Sequence, residues 1–313
     1  MAEQDRSEYK TQCGFVGLIG APNAGKSTLL NQLVGSKISI VTHKVQTTRN
    51  RIVGIVMRGQ AQIVFIDTPG IFKPSKRLEH AMVDAAWQGA RDADVICLLV
   101  DAARRNVVEE TTPILDELKR QRKKAVLLLN KIDLIDKTEL LALTEKMSEL
   151  GDFEKVFMIS AKNGSGVKDL LKYLSEKIPH GPFMYDPDMI TDLPMRLFAA
   201  ELTREKLFLQ LQQELPYSVA VETEAWEEFK NGDIKISQVI YVLRENQKAI
   251  VLGRGGKRIK SIGTAVRKEL SDLFEAKIHL NLFVKTRKNW VEDPERYQEW
   301  GLDFDAAPRD VHD

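Results

Sequence analysis

The sequence predicts an α/β fold with a mixed, mostly parallel sheet in residues 10–180, followed by a smaller α+β domain in residues 195–290. The length of 313 residues suggests two globular units, at about 100 to 200 residues per domain. Up to about residue 180, short apolar runs alternate with stretches of helical spacing, which is typical of βαβ units. Residues 179–194 then hold four prolines without a periodic pattern, so residues 181–194 are expected to form a linker.

Five apolar runs of the first domain are expected to be strands buried on both faces, because they are continuous rather than alternating. They are CGFVGLIG, AQIVFID, DVICLLVD, KAVLLLN and KVFMIS. Right-handed crossovers between them predict a doubly wound sheet that binds its ligand at the carboxyl ends of the strands. The run RIVGIVMRG is expected to pair with AQIVFID as an antiparallel edge strand.

The second domain is expected to have the order α-β-β-α-β. A helix covers about residues 195–213, and LPYSVAVETEAWEEF and KISQVIYVLREN form two strands around an Asn-Gly-Asp turn. The stretch AIVLGRGGKRIKSIGTAVRKELSDLF predicts a strand, a turn and a helix, with a candidate break in the helix near Gly263. The run AKIHLNLFVKTR predicts the last strand.

The composition restricts the class of protein. Two cysteines, Cys13 and Cys97, are too few for a disulfide framework and lack the spacing of a zinc site, which favours a reduced, intracellular protein. The first residues resemble neither a secretion nor an import signal. Apolar runs stay far below the roughly 18 residues that a membrane span needs. Any membrane contact is therefore expected to be peripheral.

A phosphate-binding pattern follows the first predicted strand. The spacing Gly-x-x-x-x-Gly-Lys-Ser turns backbone amides around a β-phosphate at the start of a helix. Lys26 is placed to bridge the β- and γ-phosphates, and Ser27 to ligate Mg²⁺. The alternative is a Gly-rich turn that binds nothing. The candidate GTP-binding residues of this element are Gly20, Ala21, Pro22, Asn23, Ala24, Gly25, Lys26, Ser27 and Thr28.

A second element stands at the end of AQIVFID. Its candidate residues are Asp67, Thr68, Pro69, Gly70 and Ile71. Asp67 can hold Mg²⁺ through a water, and the Gly70 amide can bond a γ-phosphate oxygen. Loss of that phosphate would free Gly70, so residues 71–77 are a candidate mobile switch. In isolation the tetrapeptide Asp-Thr-Pro-Gly would indicate only a turn.

A third and a fourth element can recognise the base. The Asp133 carboxylate can accept two hydrogen bonds from the N1–H and N2–H₂ edge of guanine, a donor pair that adenine lacks. The predicted ligand is therefore GTP rather than ATP. The stem of Lys131 can cover the base plane, and a backbone amide after KVFMIS can bond guanine O6. The candidate residues are Asn130, Lys131, Ile132, Asp133, Ser160, Ala161 and Lys162.

Together these elements resemble those of the Ras-like, translation-factor class of GTPases. The stretch Gln46, Thr47, Thr48 and Arg49 resembles the switch I motif of the Era, EngA and TrmE group. The resemblance implies that a Thr hydroxyl completes the Mg²⁺ shell in the GTP state, and we favour Thr48 over Thr47. The expected Mg²⁺ ligands are thus Ser27, Thr48 and, through a water, Asp67.

The resemblance also bears on hydrolysis. Ras-type enzymes orient the attacking water with a Gln directly after the glycine that corresponds to Gly70. This chain has Ile71 at that position, so slow intrinsic turnover is expected. Asn23 occupies a position that in similar GTPases helps to hold K⁺, where it can stabilise transition-state charge. The alternative is that Asn23 only stabilises its loop. The candidate catalytic residues are Lys26, Thr48, Gly70 and Asn23.

The second domain carries a Gly-x-x-Gly turn with positive charge around it. Such a turn brings backbone amides close to the phosphates of single-stranded nucleic acid in KH domains. Residues 244–290 hold 12 Lys or Arg against 4 Asp or Glu, although the whole chain has a net charge of only +1. The alternative is a Gly-rich turn followed by a solvated basic helix that does not bind RNA. The candidate RNA-binding residues are Gly253, Arg254, Gly255, Gly256, Lys257, Arg258 and Lys260.

Residues 291–313 form an acidic tail with 2 basic and 8 acidic residues. A solvated terminus is the favoured interpretation, and a segment that competes with RNA for the basic surface is the alternative.

Nearly the whole chain resembles the Era family of bacterial GTPases, on the elements above together with VLGRGGKRIKSIG, KISIVTHKVQTTRNRIVGI and LPYSVAVE. The resemblance implies a Ras-like P-loop GTPase domain followed by a type II KH domain that binds near the 3′ end of small-subunit (16S) rRNA. It further implies assistance to maturation of the 30S subunit and peripheral association with the inner membrane. We expect a cytoplasmic monomer. The other reading is an RNA-binding chaperone module in which GTP is a static structural ligand.

Overall fold

The computed structural model describes residues 10–44, 47–49, 51–212, 215–288, 290 and 293–306. The described chain divides into two compact units. The first unit contains the described parts of 1–39, 48–192 and 295–313, and the second contains those of 40–47 and 193–294. Thr47 and Thr48 are therefore neighbours in sequence that belong to different units.

The first unit has a six-stranded sheet in the order β2-β3-β1-β4-β5-β6. Its strands are β1 (Gln12–Gly20), β2 (Ile52–Arg58), β3 (Ala61–Asp67), β4 (Val95–Asp101), β5 (Ala125–Asn130) and β6 (Phe153–Met158). All neighbouring pairs are parallel except β2 and β3, which pair antiparallel from Ile52 opposite Asp67 to Arg58 opposite Ala61. The mixed, mostly parallel sheet and its antiparallel edge are confirmed.

Five helices of the first unit alternate with these strands. They are α1 (Lys26–Val34), α2 (Arg77–Asp92), α3 (Val107–Arg120), α4 (Lys137–Leu150) and α5 (Val167–Lys177). The central strands contribute to two separate hydrophobic clusters, one that includes Leu128 and one that includes Leu127. Successive side chains of a strand point to opposite faces, so these clusters lie on the two faces of the sheet. This double burial explains why the strands are continuous apolar runs.

The second unit has a three-stranded sheet in the order β7-β8-β9. Its elements are α6 (Met195–Gln210), β7 (Val219–Glu228), β8 (Ile234–Val242), α7 (Glu245–Leu252), α8 (Lys257–Phe274) and β9 (Ile278–Thr286). Strands β7 and β8 are antiparallel, while β8 and β9 are parallel with Ile234 opposite Ile278. One hydrophobic cluster joins α6, α8 and the sheet, with Leu202, Ile236 and Val266 each fully buried.

The prediction of a strand before the Gly-x-x-Gly turn was wrong, because AIVL forms the end of helix α7. The Gln247 side chain accepts hydrogen bonds from the backbone N–H groups of Leu243 (2.8 Å) and Arg244 (3.2 Å) and so closes the start of this helix. Only Val251 of α7 is buried. Of the two β-branched residues that suggested a strand, Val251 is buried and Ile250 is 47% exposed. The order of the unit is therefore α-β-β-α-α-β.

Two smaller corrections concern the same unit. Helix α8 continues through Gly263, so the candidate break is absent. A Cβ atom on Gly263 would lie 3.5 Å from Leu282, which shows that α8 packs closely on β9 at this point. Residues Leu215–Ser218, expected to begin a strand, form a 3₁₀ turn instead.

The acidic C-terminal segment is folded where the structure describes it. Helix α9 covers Pro294–Glu299, and Tyr297, Trp300 and Leu302 are buried. Residues 295–306 pack within the first unit. The favoured interpretation of a solvated terminus is thus wrong for these residues, because their acidic side chains alternate with aromatic side chains that need burial. Among the described residues, no helix is long and apolar enough to span a membrane.

Candidate nucleotide site and nucleic-acid interface

The loop between β1 and α1 has the backbone geometry of a phosphate cradle. Gly20 and Gly25 have φ angles of 147° and 102°, and Asn23 has a φ of 64°. A Cβ atom on Gly25 would lie 2.2 Å from the Asn130 side-chain nitrogen, so only glycine fits there. Gly25 directly precedes α1, whose first backbone N–H groups lack intrahelical partners and favour an anion. Thr28 lies in the first turn of this helix and is partly buried.

Lys26 is buried at the base of this loop, with only 6% of its surface exposed. Its Nζ donates to the carbonyl oxygens of Gly20 (3.0 Å) and Ala21 (3.1 Å). Burial lowers the pKa of the Lys26 ammonium to about 8, although the nearby Asp67 carboxylate acts in the opposite direction. A phosphate bound at the loop would place negative charge beside this ammonium and so favour its charged form.

Asp67 lies at the end of β3 and is fully buried. Its Oδ2 accepts hydrogen bonds from Ser27 Oγ (2.7 Å) and Ser39 Oγ (3.1 Å), and Thr48 Oγ1 lies 3.5 Å away. Burial raises the pKa of this carboxyl group, and Lys26 and the hydroxyl donors lower it. Its Oδ1 has no hydrogen-bond partner among the described residues.

These groups fit a magnesium ion. A hard divalent cation takes oxygen ligands and retains several waters, and this cluster supplies two hydroxyl oxygens and a carboxylate with one buried oxygen left over for a water. The hydroxyl oxygens of Ser27 and Thr48 lie 2.9 Å apart, the separation of two ligands on adjacent sites of one small ion.

Thr47 is placed elsewhere, in the second unit. Its Oγ1 contacts Thr42 Oγ1 (2.7 Å) and donates to the Lys44 carbonyl oxygen (2.7 Å), and its own carbonyl accepts a hydrogen bond from Arg204. The structure therefore brings Thr48, and not Thr47, to Asp67. Gln46, the first residue of the predicted switch I motif, lies outside the described residues.

The second predicted element lies close to the phosphate loop. A Cβ atom on Gly70 would come within 2.8 Å of the Pro22 ring, and the Ile71 N–H donates to the Gly20 carbonyl at 3.0 Å. Thr68 Oγ1 donates to the Leu18 carbonyl at 2.8 Å, which fixes the turn to β1. The Ile71 side chain is apolar and buried in a hydrophobic cluster, so it cannot orient a water.

Asn130 connects three loops at the end of β5. Its Nδ2 donates to the Ala24 carbonyl (2.8 Å), and its Oδ1 accepts from the Ala161 N–H (2.9 Å). The phosphate loop, the loop after β5 and the loop after β6 are thereby held together. Asn130 thus braces the loops around the candidate nucleotide site.

The candidate base-reading groups lie beside it. Lys131 has a left-handed backbone (φ 65°), and its Nζ bonds Asp101 Oδ2 at 2.6 Å. Asp133 is exposed, and its Oδ1 accepts from Ser160 Oγ at 2.6 Å, which orients the carboxylate. Ile132 is partly buried, and Lys162 is exposed.

Two residues of this site were missed by the sequence reasoning. Asp101, at the end of β4, anchors the Lys131 ammonium, and Ser39 donates to Asp67. The acid that closes the run DVICLLVD, at the same sheet edge as Asn130, was the available signal for Asp101. Ser39 carries no such signal, because it reaches Asp67 only through the fold of its loop.

The Gly-x-x-Gly turn lies between α7 and α8 rather than after a strand. Gly253, Gly255 and Gly256 have φ angles of 73°, 59° and 74°, and a Cβ atom on Gly253 would lie 2.7 Å from the Arg258 Cβ. Arg258 donates to the Ile250 carbonyl and is partly occupied by this bond. Arg254, Lys257 and Lys260 are exposed and lie on and after the turn. The exposed amides at the start of α8 and these cations form a surface suited to phosphates.

In a comparison with known proteins, one family model matches residues in each of the two units. A family model described as "50S ribosome-binding GTPase" matches residues 15–131, and a model described as "KH domain" matches residues 214–291. GTPase Era of Brucella suis biovar 1 (strain 1330) is 59% identical over 295 residues, which cover 94% of each chain. GTPase Era of Rhizobium meliloti (strain 1021) is 58% identical over 294 residues, again 94% of each chain.

Two solved structures are also similar. A variant of Aquifex aeolicus Era bound to GDP and AlF4⁻ has a TM-score of 0.85 and 36% identity. Era in complex with MgGDPNP and nucleotides 1506–1542 of 16S ribosomal RNA has a TM-score of 0.86 and 37% identity. Each covers 93% of this chain and 99% of the solved chain.

The fold and the matched models define a Ras-like GTPase domain followed by a type II KH domain, which confirms the predicted fold class. With more than half of its residues identical to curated relatives over 94% of its length, the chain belongs to the Era family of GTPases.

Proposed function

We propose that this protein is a GTP-hydrolysing switch whose KH domain binds the 3′ region of 16S rRNA and which assists maturation of the 30S subunit. The observation that carries the proposal is the cluster of Ser27, Thr48 and Asp67 beside the phosphate loop of an Era-family chain. A related Era binds MgGDPNP and nucleotides 1506–1542 of 16S rRNA, which supports the nucleotide and the RNA partner.

Residues of the first unit would divide the work of binding GTP. The loop from Gly20 to Ser27 would surround the β-phosphate with amides, and Lys26 would bridge to the γ-phosphate. Gly70 would donate its amide to a γ-phosphate oxygen. Ser27, Thr48 and Asp67 would hold Mg²⁺, Asp67 through a water, and the bound ion would neutralise charge on the phosphate oxygens.

Base selection would rest on Asp133. Its carboxylate, oriented by Ser160, is suited to accept from both donors of the guanine edge. Lys131, held by Asp101, would cover the base with its aliphatic stem. The amide of Ala161 already bonds Asn130, which leaves the amide of Lys162 as the group for guanine O6.

The rate of hydrolysis is proposed to be slow without further help. Ile71 replaces the water-orienting Gln, and its side chain is committed to a hydrophobic cluster. Asn23 has the left-handed backbone of a residue inside the phosphate loop, and we propose that its side chain helps to hold K⁺ near the β- and γ-phosphates. That ion would supply transition-state charge without a partner protein.

RNA binding is proposed for the turn at Gly253–Gly256 and its flanking cations. The turn would bring backbone amides to the phosphates of a single strand, and Arg254, Lys257 and Lys260 would neutralise them. We further propose that the protein acts as a cytoplasmic monomer with peripheral contact to the inner membrane, on the family resemblance alone.

The experiment that tests the nucleotide assignment compares phosphate release from GTP and from xanthosine triphosphate by the full chain with Mg²⁺. In Asp133→Asn an amide nitrogen replaces one accepting oxygen, so the variant should lose activity with GTP and gain activity with xanthosine triphosphate, which carries an acceptor at that position. The matched control is Asp136→Asn, an exposed acid three residues further on. Unchanged preference in Asp133→Asn would refute the assigned role of Asp133.

A further inference from the structure

Three aromatic side chains of the C-terminal segment form a cluster within the first unit. The ring of Tyr297 lies 6.2 Å from that of Trp300 and 5.0 Å from that of Phe304, measured between centroids. Tyr297 is fully buried and Trp300 is 9% exposed. The Leu302 N–H donates to the Tyr297 carbonyl at 2.7 Å and turns the chain back over the helix. We call Tyr297, Trp300 and Phe304 the C-terminal aromatic cluster.

Trp300 of this cluster faces Arg49. The guanidinium carbon of Arg49 lies 5.9 Å from the centroid of the Trp300 ring, which is within the range of a cation–π interaction. Arg49 is only 1% exposed, and such interactions are stronger where water is excluded. Arg49 directly follows Thr48, whose hydroxyl reaches Ser27 and Asp67. Consecutive Cα atoms are about 3.8 Å apart, so fixing one residue restricts the position of the other.

Phe304 of the same cluster faces Arg77. The guanidinium carbon of Arg77 lies 4.6 Å from the centroid of the Phe304 ring. Arg77 is the first residue of α2, the helix that follows the loop after Gly70. That loop begins at Ile71, whose N–H bonds the phosphate loop at Gly20. One aromatic cluster therefore contacts both Arg49, which is next to Thr48, and Arg77, which lies at the end of the loop that follows Gly70.

We propose that Trp300 and Phe304 are positioning residues for GTP hydrolysis, which act by holding Arg49 and Arg77. The proposal rests on the proposed function, because it assumes that Thr48 ligates Mg²⁺ and that Gly70 meets the γ-phosphate. Each of these contacts is needed only while the γ-phosphate is present. A cluster that restricts both loops lowers the entropy lost when they close on GTP, and it leaves GDP binding by the phosphate loop and Asp133 unaffected.

The test uses the full chain with Trp300→Leu, Trp300→Phe and the control Tyr173→Leu. Tyr173 lies on α5, a helix that contains neither Thr48 nor Gly70, and its ring forms a cation–π contact with Lys177 at 5.6 Å. The measured quantities are kcat and KM for GTP, the Mg²⁺ concentration that gives half-maximal turnover, and the affinity for GDP. Trp300→Leu retains apolar burial and removes the ring, whereas Trp300→Phe retains an aromatic face.

Trp300→Leu should lower kcat about tenfold and raise the half-maximal Mg²⁺ concentration, the factor expected for loss of a buried cation–π contact. GDP affinity should stay within about twofold of wild type, and Trp300→Phe should recover most of the lost kcat. Tyr173→Leu should match wild type. Arg77→Gln combined with Phe304→Leu should cost no more kcat than either change alone, because both remove the same contact.

Equal losses of kcat and GDP affinity in the Leu and Phe variants would overturn the proposal, because they would show a general structural role. Wild-type kcat and Mg²⁺ dependence in Trp300→Leu would also overturn it. Failure of the proposed function is distinguishable, since the wild-type chain itself would then release no phosphate from GTP.

Discussion

The hydroxyl oxygens of Ser27 and Thr48 lie 2.9 Å apart, although 21 positions separate the two residues along the chain. Ser27 belongs to the first turn of α1, and Thr48 to the loop before β2. The buried carboxylate of Asp67 lies next to both hydroxyls. Three separate segments thus converge on the point where a magnesium ion would bind, and the geometry distinguishes Thr48 from its neighbour Thr47.

We predict that Thr48→Ala and Thr47→Ala differ in their need for magnesium. Thr48→Ala removes a proposed ligand and should raise the Mg²⁺ concentration for half-maximal GTP turnover by about 10- to 100-fold. Thr47→Ala removes only hydrogen bonds to Thr42 and Lys44, so its Mg²⁺ dependence should stay close to wild type. Phosphate release titrated with MgCl₂ measures both. A larger shift in Thr47→Ala than in Thr48→Ala would contradict the assignment.

We predict that nucleotide binding takes up protons through Lys26. In the free protein, burial lowers the pKa of the Lys26 ammonium to about 8, so the side chain is largely neutral above that pH. Phosphates favour the charged form and raise this pKa on binding. Proton uptake should therefore be small at pH 7 and should grow between pH 7 and 9. Calorimetric titration with GDP in buffers of different ionisation enthalpy measures it, and uptake that does not change over this range would refute the prediction.

We predict that turnover depends on the identity of the monovalent cation through Asn23. At fixed ionic strength, wild-type phosphate release should be faster in KCl than in NaCl, because the proposed site holds K⁺ near the developing charge. Asn23→Ala should lower the rate in KCl to the rate that wild type shows in NaCl. The same wild-type rate in both salts would exclude this role and leave Asn23 as a residue that stabilises its loop.

We predict that the cations around Gly253–Gly256 bind RNA phosphates rather than bases. Lys257→Ala and Lys260→Ala should each weaken binding to all sequences alike and reduce the slope of log affinity against log salt by about one. The matched control is Lys146→Ala, an exposed lysine on α4 of the first unit. Fluorescence anisotropy with a single-stranded RNA across a salt series measures the slopes, and a slope unchanged in both variants would remove these lysines from the interface.

Local patterns were sufficient to predict the sheet and the edge at which the candidate nucleotide site lies, because the central strands β1, β3, β4 and β5 are largely apolar runs that pair in parallel and end at the same sheet edge. Asp67, Asn130 and Gly20 are each the last residue of one of these strands. The family resemblance favoured Thr48 over Thr47, but their physical separation is visible only in the structure, since the two residues have the same chemistry and differ only in the path of the backbone.

Two features depend on contacts that no local pattern contains. The residues AIVL resemble a strand by propensity, yet Gln247 caps the chain into a helix and only Val251 is buried. In the C-terminal segment, acidic residues dominate the composition, so the sequence gives no indication that the three aromatic residues pack together. Trp300 and Phe304 find their cationic partners, Arg49 and Arg77, more than 200 residues earlier in the chain.

We propose that the γ-phosphate of the bound nucleotide controls RNA binding by the KH domain of this switch, and one measurement tests the coupling directly. The affinity of the full chain for an RNA of the 16S 3′ region is compared in a non-hydrolysable GTP analogue and in GDP, each with Mg²⁺. The switch predicts different affinities in the two states, and it predicts that Thr48→Ala abolishes the difference without unfolding the protein. Equal affinity in the two nucleotides, with nucleotide changing only thermal stability, would contradict the switch and favour GTP as a static structural ligand.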